Sequence, residues 1–136
     1  MTVEFKDNSI AVKEALQKTS ISFLNEVSGE IMAQTMRNTP VDTGQLKASW
    51  DYEVDEKSLR SVIGSPLENA IWNEFGTGEY ALNGDGRKGG WFYEDEEGKG
   101  HFTHGKQPKR SMWTAFQSLK GKIIKYAEEV FSSGMR

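Results

Sequence analysis

The chain has 136 residues, no cysteine, 17 Lys and Arg against 20 Asp and Glu, and a formal net charge of -3. That length predicts one domain over residues 1–136, and the absence of cysteine excludes disulfides, thiolate catalysis and sulfur-ligated zinc, as suits a reducing cytoplasm. The acidic balance argues against global attraction to DNA, no apolar run approaches the ~20 residues of a membrane span, and a mean hydropathy of -0.64 predicts a modest core.

From Asn8 to Arg37, Val12, Leu16, Phe23, Val27, Ile31 and Met36 recur at helical spacings. This predicts a long N-terminal helix over 8–37, capped by Asn8 or Ser9 and stopped by Asn38-Thr39-Pro40. A helix of that length must either project at one end or bend near Ser28-Gly29. Pro40, Asp42 and Gly44 then predict a turn. Leu46, Ala48, Trp50, Tyr52 and Val54 alternate with polar residues, which predicts a half-buried strand and a hairpin over 45–64. Ser65-Pro66-Leu67-Glu68 has the form of a capping box, so a short helix over 66–75 is expected. Its apolar face would be Leu67, Ile71 and Phe75, and Gly76 would end it in a left-handed conformation.

The stretch 76–90 is glycine-rich and predicts a mobile loop carrying Arg87 and Lys88. A second hairpin is expected over 91–104. After Pro108, the spacing of Met112, Phe116, Leu119, Ile123 and Val130 predicts a C-terminal helix over 109–132. The fold class expected is therefore α+β, with two long helices packed on a small antiparallel sheet of hairpins, plus one short helix.

Little in the chain points to catalysis. His101 and His104 are three residues apart on a predicted strand, so they point to opposite faces, and no third metal ligand is evident. Glu94 to Glu97 read as a solvated hairpin tip. The glycines of 84–89 lack the Gly-Lys-Ser/Thr ending of a phosphate loop. No metal, cofactor or catalytic residue is assigned. One aromatic and basic patch, Trp91 to Tyr93 with Arg87 and Lys88, supports an alternative reading as a small nucleic-acid-binding module.

Three segments together resemble a known family. They are Thr39-Pro40-Val41-Asp42-Thr43-Gly44-Gln45-Leu46-Lys47-Ala48-Ser49 after a long helix, Asn69 to Thr77, and Gly105-Lys106-Gln107-Pro108 with Ala115-Phe116. Their order and spacing resemble the neck or tail-completion proteins of long-tailed bacteriophages, typified by gene product ten of a lambdoid phage. The likeness runs from about Ser20 to Tyr126, and the insert before Trp91-Phe92-Tyr93 is similar to the version in phages and prophages of Gram-positive bacteria. It implies a non-enzymatic virion protein without cofactor or small-molecule substrate, made in the host cytoplasm and acting in head-tail joining or tail completion. It also implies a ring of copies, six as first expectation, that touches neighbouring neck and tail proteins, with packaged DNA as a further contact. Ring contacts are heterologous and need two complementary patches. Trp72, Trp91 and Tyr93 are the candidate anchors, each with a plain core role as its alternative.

Overall fold

The long apolar stripe at the start of the chain winds into one helix, α1, Ser9–Asn38. The structure is a computed structural model that describes residues 7–41 and 44–134. Neither Asn8 nor Ser9 caps α1 through its side chain. The Asp7 carboxylate instead accepts the Ser9 N–H at 2.9 Å. The helix continues unbroken through Ser28-Gly29, so of the two options it projects: Ile10, Val12 and Leu16 at its N-terminal end are exposed. Its length is about 45 Å.

The turn expected from Pro40, Asp42 and Gly44 can be followed at Gly44, which has φ +81°. Asp42 lies outside the described residues. The strand expected from residue 45 onward does not form there. Gln45–Ser49 is instead a short helix, α2, and only Asp51–Asp55 is strand, β1. The Ala48 N–H bonds the Gly44 carbonyl at 3.1 Å and the Ser49 hydroxyl donates to the Leu46 carbonyl. Coiling here lets the chain deliver Trp50 inward, where its indole N–H donates to Thr39 Oγ1 at 2.9 Å.

β1 pairs antiparallel with β2, Arg60–Gly64, with Tyr52 opposite Ile63 and Glu53 opposite Val62. Asp55 closes the turn by accepting the Lys57 and Ser58 N–H groups. The Ser65 hydroxyl accepts the Leu67 N–H, but helix α3 spans Asn69–Phe75 and begins later than a full capping box would place it. Its buried residues are Ala70 and Asn73, while Ile71 and Phe75, two of the three residues expected to form its apolar face, are exposed. Beyond a 3-10 turn, Gly78–Tyr80, come β3, Trp91–Glu94, and β4, Gly100–Thr103, followed by α4, Ser111–Gly134.

The chain is an α+β fold of four helices, two of them long, and two antiparallel hairpins not closed into a barrel. The expected arrangement of both long helices on one sheet is not what forms. The hairpins are separate two-stranded sheets, and a two-stranded ribbon is about as wide as one helix, so it can seat only one. That helix is α1. On one side, Ser28 Oγ meets Ser61 Oγ at 2.5 Å and Gly29 lies against Tyr52. On the other side α4 runs antiparallel, with Phe23 against Tyr126 and Phe131 at ring separations of 5.7 and 5.4 Å and Glu30 paired with Lys122. The layer order is thus β1–β2, then α1, then α4.

Candidate interaction surfaces

The core is small and unusually polar. Among the described residues its buried apolar members are Ile31, Trp50, Ala70 and Ala115, and beside them Ser28, Thr35, Thr39, Asn73 and Ser111 are buried. Buried polar groups are tolerable only when hydrogen-bonded, and these are. The Asn73 amide donates to Ser111 Oγ at 2.9 Å, Ser111 Oγ donates to the Asn38 carbonyl, and the Asn38 amide donates to the Ser111 carbonyl. The Asn73 carbonyl accepts the N–H groups of Lys109 and Arg110. Glu74 accepts the N–H groups of Met112 and Trp113 and so caps α4 from a different helix. The ends of α1 and α3 and the start of α4 are joined at one point.

None of Asn73, Glu74 or Ser111 stands out as a single residue in the sequence. The available signal is that Asn73 and Glu74 sit in the last turn of a short helix, where unpaired carbonyls and side chains are free to reach a distant part of the chain. This junction shapes a groove of about 460 Å³ lined by Pro40, Leu46, Asn69, Trp72, Lys106 and Lys109. Trp72 borders it while remaining 44% exposed.

The expected mobile loop is pinned through its first half. Gly76 has φ +75° and ψ 176°, a conformation open essentially only to glycine and not the left-handed helical one expected. The Thr77 N–H bonds the Lys106 carbonyl, and the Glu79 N–H bonds the His104 carbonyl. Pro108, half-buried, packs against Gly76 so closely that a Cβ there would lie 2.9 Å from its ring.

This anchorage holds the base of the second hairpin, neither strand of which packs closely on a helix. Trp91, Tyr93 and His101 share one face: Tyr93 stacks on His101 at 5.3 Å, and Arg87 lies 5.5 Å from the centre of the Trp91 ring. Phe92 and Phe102 share the other face at 4.8 Å and are 80% and 51% exposed. Lys88 is exposed and Pro66 is exposed. The structure thus gathers Trp91, Tyr93 and Arg87 and leaves Trp72 on a separate surface.

His101 pairs with Asp95 at 2.8 Å and His104 with Glu79 at 3.2 Å. The His101 ring, with the Lys99 and Glu97 N–H groups, holds the Asp95 carboxyl below its usual range. Among the described residues no group of three His, Cys, Asp or Glu is placed to hold a metal ion, and no helix is long and apolar enough to cross a membrane.

The accessible surface is 10086 Å². A compact monomer of 15.3 kDa exposes about 7,100 Å². Large apolar side chains stand exposed on several elements: Ile10 on α1, Val62 on β2, Ile71 and Phe75 on α3, Phe92 on β3 and Ile124 on α4 are each 44% exposed or more.

The family model described as "Bacteriophage HK97-gp10, putative tail-component" matches residues 4–76, just over half of the chain, and the chain belongs to that family. The match is shorter than the likeness seen in the sequence: it takes in Thr39 to Ser49 and Asn69 to Gly76 and stops before the second hairpin and α4. No curated protein and no solved structure matches the chain.

Proposed function

We propose that this member of the gene-product-ten-like family is a structural subunit of a tailed-phage virion that acts in head-tail joining or tail completion. It works by protein–protein contact, as a ring of copies seated between neck and tail neighbours, six in number if the ring follows a six-fold tail axis. Family membership supports the virion role. The observation that carries the contact mechanism is the second hairpin, where Phe92 and Phe102 lie against each other at 4.8 Å and are 80% and 51% exposed, an apolar pair that a partner would cover.

Trp72 at its groove, and Trp91 and Tyr93 on the hairpin with Arg87 and Lys88, are the proposed contact residues. Large aromatics with an arginine alongside are the side chains that dominate interface energetics. The alternative of stacked nucleic-acid bases on Trp91 and Tyr93 is less favoured, because Arg87 and His101 already lie against those rings.

The test is removal of the gene from the phage. The expected outcome is full heads and separate tails, or particles whose tails detach, with infectivity restored by the chain supplied from a plasmid. Normal infectious yield from the deletion, or particles in which the protein is absent by mass spectrometry, ends this reading.

A further inference from the structure

From Lys99 to Ala127 the chain carries seven Lys or Arg and no Asp or Glu, so all 20 acidic residues lie outside that stretch. α4 brings part of it to the side of the molecule facing away from α1. At 100° per residue, Gln117, Gly121 and Ile124 fall opposite the buried Ala115, with Lys120 and Lys125 on either flank, and all five are exposed. Ile124 is 52% exposed among these polar neighbours. Gly121 is stranger, because glycine weakens a helix interior and, among the described residues outside its own stretch of α4, nothing lies within 4 Å of where its Cβ would be. No contact within the chain accounts for it.

The opposite side of the subunit has the complementary chemistry. On the outer face of the β1–β2 hairpin, Asp51, Glu53 and Asp55 stand at alternate positions, roughly 7 Å apart. Val62, opposite Glu53, is 58% exposed. Among the described residues Lys120, Lys125 and Glu53 have no ion-pair partner. Each face carries one opposite charge at its end, Arg60 across from Asp55 and Glu128 one turn beyond Ile124, which leaves Asp51 and Glu53 as the acidic end and Lys120 and Lys125 as the basic one. Because α1 lies between the hairpin and α4, the two point away from each other.

We propose that the outer face of α4 docks on the outer face of β1–β2 in a second copy, Ile124 against Val62, with Lys120 and Lys125 meeting Asp51 and Glu53. Gly121 lets the strands approach the helix backbone. The contact is heterologous: each docked copy still offers one free face at each end, so copies add head to tail until a ring closes. This assignment rests on the self-assembly part of the proposed function.

The chain has no cysteine, so paired cysteines report the contact directly. In the full chain, the double variant Val62→Cys with Ile124→Cys should give on oxidation a ladder of dimer, trimer and higher species. Either single variant should go no further than a dimer, and the two single variants mixed should give dimer only. Adding Lys120→Glu and Lys125→Glu should reduce the ladder about tenfold, and reversing Asp51 and Glu53 to Lys in the same chain should restore it. If wild type sediments as an oligomer but no ladder forms, the faces are wrong and self-assembly stands. If wild type remains a monomer at millimolar concentration and no ladder forms, both fall. Retention on duplex DNA that is lost with Lys120→Glu and Lys125→Glu, without a ladder, assigns the basic face to nucleic acid and overturns the proposal.

Discussion

Gly44 and Gly76 show how one residue type can serve two different constraints. Both have positive φ, but among the described residues nothing lies within 4 Å of where a Cβ would sit at Gly44. At Gly76 the same atom would lie 2.8 Å from the Lys106 carbonyl oxygen and 2.9 Å from both the Pro108 ring and the Tyr80 carbonyl oxygen. Gly44→Ala should therefore lose only the backbone preference, about 1 kcal/mol. Gly76→Ala adds a collision with backbone that cannot step aside, for a total of about 3 kcal/mol or more. Urea unfolding of the two variants measures the difference directly, and equal losses would show that the 76–80 turn does not pack on the 106–108 segment.

At the scale of elements, what could be read in the sequence was whatever depends on neighbours in the chain. The stripes of α1 and α4, Ser65 and Gly44 depend on local geometry, whereas Gly76 owes its extended positive-φ conformation to the distant 106–108 segment as well. Leu46, Ala48 and Trp50 misled because Leu46 and Trp50, four residues apart, share a face of a helical turn as well as of a strand, while Ala48, which a strand would turn inward with them, is exposed. What decides between them is Trp50, whose partner Thr39 caps the end of α1. Glu74 was unreadable for the same reason: its hydrogen-bonding partners, Met112 and Trp113, are 38 and 39 residues away.

The role of Glu74 can be measured. Free N–H groups at a helix start favour a carboxylate, and losing such a cap costs about 1–2 kcal/mol. Glu74→Ala should cost that much and speed amide exchange at Met112 and Trp113 while leaving exchange near Ile123 slowed as before. Unchanged protection at the first turn would mean that the Asn73 and Ser111 contacts alone fix the start of α4.

For the whole molecule, the question is how apolar surface is divided between the subunit's own interior and its partners. Ile31 is 7% exposed on α1, between the first hairpin and α4, whereas Phe92 is 80% exposed on a second hairpin that packs closely on no helix. If the division is real, the two residues respond oppositely to substitution. Ile31→Ala leaves a cavity and should cost about 2–4 kcal/mol at any protein concentration. Phe92→Ser removes no buried contact with the core and should stay within about 0.5 kcal/mol of wild type in dilute solution. Its effect should emerge only as concentration rises, because binding that favours the folded chain adds stability by mass action. Thermal melts from low to high micromolar separate the two cases: wild type should melt later as it is concentrated, and Phe92→Ser should follow it less steeply. A Phe92→Ser chain that already melts early at the lowest concentration would place the second hairpin in the subunit's own core, and its aromatics could then no longer be set aside for a neighbour.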